Sequence, residues 1–135
     1  MRITTLPLLL LILLTIGQDS IATKVDLGNE FKIKNGEEVV VRGEKLRITF
    51  SSVVNESRCP DGVACVWAGN ASIAIEVSKK NRKKVLAALN TLSEPKEIPY
   101  KGFKIRLVAL DPYPSIKTPI DPKDYEATLI ITKDE

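Results

Sequence analysis

The stretch Leu46-Arg47-Ile48-Thr49-Phe50 alternates apolar and polar side chains at every position. Because successive side chains of a β-strand point to opposite faces of a sheet, this period of two predicts a half-buried strand. Arg47 and Thr49 would then face solvent while their neighbours face a core. The same alternation recurs at Ile73, Ile75 and Val77, at Phe103, Ile105 and Leu107, and at Ala127, Leu129 and Ile131.

Shorter apolar stretches predict further strands at 31–34, 38–41 and 85–89, although 83–92 could instead form a short helix. The dipeptide Asn35-Gly36 separates the first two and is typical of a tight β-hairpin. Four prolines lie between Asp111 and Asp124, which excludes a central strand there. We expect that segment to be a long ordered crossing loop before the final strand.

Six or seven short strands without a long amphipathic helix predict an all-β domain. The expected architecture is a single β-sandwich, Ig-like or related, or a small barrel with one short-loop disulfide. A chain of 135 residues, 44% hydrophobic and 27% charged, has the composition of one globular domain. We expect residues 23–135 to form that domain.

The N-terminus has the pattern of a signal peptide, predicted at 1–22. Arg2 precedes an apolar run over 6–16, which is shorter than the roughly 20 residues of a spanning helix. Small residues fit cleavage before Gln18 or before Thr23, and the alternative is an uncleaved anchor. No cysteine lies near either position, so we expect a periplasmic or extracellular protein without a lipid anchor or transmembrane span.

Cys59 and Cys65 are the two cysteines of the chain and enclose the segment Pro-Asp-Gly-Val-Ala. An even count in an exported chain predicts a disulfide. A redox motif would have two residues between the cysteines rather than five. A zinc site would need further ligands, and the sequence has no histidine.

The segment around the disulfide also holds the single tryptophan, Trp67, and predicts either of two roles. In the structural interpretation, Trp67 packs over the disulfide at the edge of the core while Gly69 allows a tight bend. In the functional one, the segment is a rigid recognition loop, since pre-ordering lowers the entropy lost on binding. The candidate recognition residues are Arg58, Pro60, Asp61, Gly62, Val63 and Trp67.

A cluster of basic residues lies over 79–84, directly after the predicted strand that contains Ile73, Ile75 and Val77. Across a hairpin turn such charges form a solvated tip that discourages edge-to-edge aggregation. Contact with an anionic polysaccharide, lipid or nucleic acid is the alternative. No aromatic residue is interleaved with the charges, so we expect no nucleic-acid partner. The cluster comprises Lys79, Lys80, Arg82, Lys83 and Lys84.

Catalytic chemistry finds little support in the sequence. Without histidine there is no Ser-His or Cys-His pair, and both cysteines are expected to be oxidised. Asp111, Asp121 and Asp124 could contribute to a calcium site but lack the spacing of a calcium loop. We therefore expect no catalytic residue, no metal, no cofactor and no enzymatic activity.

Two segments resemble a known family. Ser57-Arg58-Cys59-Pro60 followed by Cys65-Val66-Trp67-Ala68-Gly69-Asn70-Ala71 is similar to the core of small, uncharacterised bacterial exported proteins and lipoproteins. Leu107-Val108-Ala109-Leu110-Asp111-Pro112-Tyr113-Pro114 and Tyr125 extend the resemblance over most of the mature chain. Many relatives carry a lipoprotein cysteine that this chain lacks. The resemblance implies export and a β-rich fold, and it implies no mechanism.

The sequence thus predicts an exported, non-enzymatic binding module whose partner is a protein or an envelope component. The first alternative is a protease inhibitor that presents the loop between Cys59 and Cys65. The second is a structural envelope component.

Overall fold

The computed structural model describes residue 17 and residues 21–134. Nine strands and one short 3-10 helix, Pro122–Asp124, form in that part of the chain, and no helix there is long and apolar enough to cross a membrane. Nearly all of the predicted signal peptide, 1–22, lies outside the described residues. The strands are β1 (Thr23–Val25), β2 (Glu30–Lys34), β3 (Glu38–Val41), β4 (Leu46–Glu56), β5 (Ala71–Lys79), β6 (Val85–Asn90), β7 (Glu97–Tyr100), β8 (Phe103–Asp111) and β9 (Glu126–Lys133).

The strands form two sheets that pack face to face. One sheet has the order β1-β3-β4-β5-β6 and the other has the order β2-β9-β8-β7. Neighbouring strands are antiparallel except β1 and β3, which are parallel. The two sheets stay separate over the described residues, so the prediction of a β-sandwich is confirmed and a closed barrel does not form.

The alternating side chains build the core as the sequence predicts. In the five-stranded sheet Phe50 pairs with Ile75, and in the other sheet Ile105 pairs with Ile131. All four side chains are completely buried. Burying a side chain of this size stabilises the fold by about 1.5–3 kcal/mol relative to leaving it in water.

The predicted hairpin at Asn35-Gly36 is wrong. Gly36 does make a turn with a positive φ of 87°, but β2 pairs with β9 while β3 pairs with β4 in the opposite sheet. The turn therefore carries the chain from one sheet to the other. The amide of Asn35 donates to the carbonyl of Pro122, and the backbone N–H of Gly36 donates to the carbonyl of Phe50. A turn dipeptide specifies a local bend and leaves the pairing partners to the rest of the fold.

Three other segments refine the prediction. Residues 85–90 form a strand, so the helical alternative is wrong. The short edge strands β1 and β7 were not predicted, and Pro99 lies within β7, where an edge position tolerates a missing donor. The proline-rich segment after β8 joins two neighbouring strands of one sheet, so it is a long excursion and does not cross between sheets.

The connections gather at the two ends of the sandwich. We call one end the disulfide end, which carries the loops 57–70, 91–96 and 112–125. We call the other the basic end, which carries the turns 42–45, 80–84 and 101–102. Strand register fixes this grouping, because Glu56 lies opposite Ala71 and Asp111 lies opposite Glu126.

Adjacent isoleucines of β9 test which face of this strand meets the core. Ile131 is completely buried opposite Ile105, whereas Ile130 lies on the outer face opposite Arg106. We expect Ile131→Ala to cost about 3 kcal/mol of unfolding free energy and Ile130→Ala about 1 kcal/mol or less, measured by urea denaturation. A larger cost for Ile130→Ala than for Ile131→Ala would mean that the register of β9 is shifted by one residue.

Candidate functional site

The disulfide end contains a small covalent ring. Cys59 and Cys65 form the predicted disulfide, with their Cα atoms 5.9 Å apart, a usual separation for such bonds. Disulfides persist mainly in proteins of oxidising compartments, so this bond is compatible with export. The ring stands between the end of β4 and the start of β5.

The ring is fixed to the proline-rich loop by a backbone bridge. The N–H of Asp61 donates to the carbonyl of Pro114 at 3.0 Å, and the N–H of Ile116 donates to the carbonyl of Asp61 at 3.5 Å. Gly62 has a φ of +90°, and a Cβ built there would lie 3.1 Å from the side chain of Ile116. The sequence-distant loops 57–70 and 112–125 therefore form one unit.

Arg58 fixes this unit to the ends of β4 and β8. It is buried, with 7% of its side chain exposed. Its guanidinium donates to both carboxylate oxygens of Glu56, with Nε–Oε1 at 2.9 Å and Nη2–Oε2 at 2.6 Å. The remaining donors reach the carbonyls of Leu110 at 2.7 Å and Pro112 at 3.1 Å. Arg58 thus joins β4 of one sheet to the end of β8 in the other.

Two tyrosines complete the surroundings of the ion pair. The hydroxyl of Tyr125 donates to Oε2 of Glu56 at 3.1 Å. The guanidinium carbon of Arg58 lies 5.0 Å from the ring centroid of Tyr113, a cation–π distance. Fork-shaped pairing with a carboxylate needs the planar guanidinium of arginine, so lysine could not replace Arg58 here.

The ion pair shifts the pKa of each participant. Burial alone would raise the pKa of Glu56, but the hydrogen bonds and positive charge of Arg58 hold it below its usual value. Burial alone would lower the pKa of Arg58, yet Glu56 raises it. Burial and the hydrogen bond to Glu56 both raise the pKa of Tyr125. All three residues keep their usual protonation state at neutral pH.

Asn70 connects the loop 91–96 to the unit that the loops 57–70 and 112–125 form. Its side-chain oxygen accepts from the N–H groups of Leu92 and Ser93, and its amide donates to Asn90. A Cβ on the neighbouring Gly69 would collide with the backbone of Ser57. Close backbone approach, rather than an unusual φ, is therefore the reason for glycine at position 69.

Apolar side chains project into solvent from these ordered loops. Trp67 is 61% exposed and Val66 is 96% exposed. The set on the loops 57–70 and 112–125 consists of Val63, Val66, Trp67, Tyr113 and Ile116. Large apolar groups held out of the core by a braced loop are typical of a binding surface.

The predicted recognition residues separate into two roles. Asp61, Gly62 and Val63 are exposed on the ring, and Trp67 follows it on the surface, so Trp67 does not pack at the edge of the core. Arg58 is an internal anchor. Pro60 is half-buried beside it and accepts the N–H of Val63.

The predicted recognition residues do not include Glu56, Val66, Tyr113 and Ile116, which the structure adds to this site. One signal was available for Glu56: it lies two residues before Arg58 at the end of a strand, where side chains two apart share a face. The contributions of Tyr113 and Ile116 depend on the fold bringing 112–125 to the ring.

The predicted basic cluster lies at the opposite end of the sandwich, on the β5–β6 turn. The structure therefore does not bring it together with the recognition loop. Lys84 forms an ion pair with Glu76 at 3.7 Å, while the other members face solvent or line a cleft.

Carboxylates at the disulfide end do not assemble a metal centre. Over the described ranges, no group of three or more histidine, cysteine, aspartate or glutamate side chains is placed to hold a metal ion. Asp111, Asp124 and Glu126 line a cleft of about 340 Å³ that also contains Lys34 and Lys123. The two lysines there offset part of the carboxylate charge.

No protein-family model, curated protein or solved structure matches this chain. The resemblance to small exported proteins and lipoproteins, carried mainly by residues 57–71, stays a prediction. The export that it implies stays a prediction as well.

Substitution of Glu56 tests the anchoring role of the ion pair. Glu56→Gln would leave the buried guanidinium of Arg58 without its charge partner. We expect a loss of about 2 kcal/mol, below the 3–5 kcal/mol of a fully buried pair because Glu56 keeps some solvent contact. Glu38→Gln is the matched control, since Glu38 pairs with Arg47 at 2.7 Å on the surface and should cost under about 1 kcal/mol.

The effect of Glu56→Gln should also depend on pH. Because folding lowers the pKa of Glu56, the unfolded chain binds more protons than the native one as the pH falls, and the carboxylate's contribution declines. Its full contribution is present above the ordinary carboxyl pKa of about 4.3 and disappears as the pH falls through the lower folded-state pKa. A difference between wild type and variant that stays constant down to strongly acidic pH would contradict the ion-pair account.

Reduction of the disulfide tests how much the covalent ring adds to stability. Closing a seven-residue ring contributes about 2 kcal/mol by the chain-entropy relation, which corresponds to several degrees of melting temperature. We therefore expect thermal unfolding at a lower temperature after reduction. An unchanged melting curve after verified reduction would show that the non-covalent contacts alone hold the loop.

Proposed function

We propose that this protein is an exported, non-enzymatic binding module that recognises a protein partner with its disulfide end. The observation that carries the proposal is the set of exposed apolar side chains on a loop that the disulfide, the backbone bridge at Asp61 and the side chain of Arg58 hold in place. Export is supported by the disulfide and by the signal-peptide pattern of 1–22. Recognition is supported by the geometry of the loop.

Bracing matters because binding costs conformational entropy. Ordering a flexible loop costs roughly 0.5–1.5 kcal/mol for each immobilised side chain at an interface. Here the disulfide, the bridge from Asp61 to the 114–116 segment and the anchor at Arg58 order the loop beforehand. The cost of ordering the loop backbone is therefore met during folding, and only the exposed side chains remain to be ordered on association.

The chemistry of the exposed side chains favours a protein surface as the partner. Tryptophan and tyrosine are enriched among residues that dominate binding energies, since each offers a large apolar area with few rotatable bonds. Trp67 and Tyr113 are such residues, and Val63 and Ile116 flank the backbone bridge. Asp61 adds the one charge within the ring.

A protease inhibitor is a narrower form of the same proposal. An inhibitory loop must resist release from a cleft, and the ring from Cys59 to Cys65 is closed by a disulfide and held by backbone hydrogen bonds. Identification of the captured partner distinguishes the two forms. A structural envelope role would leave the apolar loop side chains without a function.

Affinity capture with matched variants tests the proposal. The bait is the full chain, expressed for export and purified as the host processes it, and the source is the envelope and culture fluid of the producing organism. The loop variant is Val63→Ser with Trp67→Ala. The control is Val108→Ser with Leu86→Ala, because Val63 and Val108 are each 44% exposed and Leu86 is another exposed apolar residue outside the loops.

We expect the loop variant to lose the partner and the control to retain it. For the purified partner, a loss of about 2 kcal/mol, or roughly 30-fold in Kd, would be measured by calorimetry. Capture that is equal for both variants contradicts the proposed surface. Turnover of a substrate that a single Asp or Glu substitution abolishes would contradict a non-enzymatic role.

A further inference from the structure

We infer that the basic end contains a binding site for a phosphate group, located between the β5–β6 and β7–β8 turns. A cleft of about 220 Å³ opens there, and it is lined by Lys79, Lys80, Arg82 and Lys101. Every lining residue is a cation. The site is independent of the disulfide end, so it is a second binding function.

The cleft exists because the two sheets end side by side. Lys79 ends β5 and Lys80 and Arg82 lie in the β5–β6 turn of the five-stranded sheet, whereas Lys101 belongs to the two-residue turn of the other sheet. The backbone N–H of Lys80 donates to the carbonyl of Lys45 at 2.9 Å, which connects the β5–β6 turn to the turn 42–45. Sequence reasoning found the cluster on one turn but not the contribution of Lys101.

Acidic residues nearby neutralise other cations. Lys84 pairs with Glu76, Lys133 pairs with Glu44 and Lys104 pairs with Asp134. Within residues 21–134, none of the four residues that line the cleft forms an ion pair. The cleft therefore keeps a concentrated positive potential that favours an anion.

One of these cations is positioned by the core. The ammonium nitrogen of Lys79 lies 4.9 Å from the ring centroid of Phe103, which is almost fully buried. This cation–π contact restrains a side chain that would otherwise be mobile. The charge is thus held at the wall of the cleft before any ligand arrives.

The backbone at two of these lysines is unfavourable for a residue with a Cβ. Lys80 has a φ of 56° and Lys101 a φ of 47°, and the third non-glycine residue with positive φ in the described chain is Lys45 at the same end. Asparagine or glycine would adopt this conformation at lower cost. Strained residues concentrate at functional sites, so lysine at these positions indicates a requirement for charge.

The arrangement fits phosphate better than a carboxylate. A tetrahedral phosphate offers several oxygen acceptors in different directions, whereas the two oxygens of a carboxylate share one plane. Three point-like ammonium groups and one forked guanidinium approach the cleft from two turns, which suits such a multidirectional acceptor. The group could belong to a soluble phosphate or to a phospholipid headgroup.

The double variant Lys80→Asn/Lys101→Asn separates the binding role from a structural one. Asparagine accepts a positive φ, so the variant should unfold at the same or a higher temperature than wild type while losing two of the four charges. The control Lys96→Asn/Lys117→Asn removes the same net charge from loops of the disulfide end.

Two probes distinguish the ligand sources: inorganic phosphate, and vesicles containing about one-third phosphatidylglycerol in phosphatidylcholine.

In titrations of isotope-labelled protein, inorganic phosphate should shift the amide resonances of 79–82 and 101, with sodium chloride at equal ionic strength as reference. For vesicles, we expect about fivefold weaker binding for each lysine lost, hence about 25-fold for the double variant, and little change for the control. If the protein binds inorganic phosphate but not vesicles, the ligand is a soluble phosphate. If it binds vesicles as well, the ligand is a phospholipid headgroup. No binding of either probe, or equal loss in the control, would overturn the proposal.

Discussion

The ion pair between Arg58 and Glu56 connects parts of the chain that are far apart in sequence. Arg58 bonds to the carbonyl of Leu110, 52 residues later, and Glu56 receives a hydrogen bond from Tyr125, 69 residues later. Removing two charges from water costs several kcal/mol unless their remaining hydrogen-bonding groups are satisfied. Here the guanidinium finds a carboxylate, two carbonyls and an aromatic ring, so burial is tolerated and one loop arrangement is selected.

The sandwich separates two kinds of surface. At the disulfide end, the disulfide and Arg58 hold apolar side chains in solvent, which suits contact with another protein. At the basic end, the turns of both sheets place lysines and an arginine around a shared cleft. Because the strands between the two ends are packed through a continuous core, each surface is rigidly oriented relative to the other.

Local patterns in the sequence predicted most of the architecture. Alternation such as Leu46 to Phe50 reports directly on which face of a strand is buried, so the strands and the sandwich could be predicted. Pairing could not, and Asn35-Gly36 shows why: its turn chemistry is local, while the partner of each strand depends on distant residues. The disulfide was likewise predictable from two cysteines. The hydrogen bonds of Arg58 to Leu110 and Pro112 could not be predicted, since their acceptors are backbone carbonyls that leave no trace in the sequence.

Through its bonds to Glu56, Leu110 and Pro112, Arg58 holds the disulfide loop in a single conformation. This role can be measured by hydrogen exchange of the amides of Asp61 and Ile116, which form the backbone bridge, in wild type and in Arg58→Met. We expect slow exchange in wild type, and exchange in the variant that is faster at these amides while the amides of β5 and β9 remain protected. Rapid exchange of both amides in wild type, or no difference between the two proteins, would show that Arg58 does not order the loop.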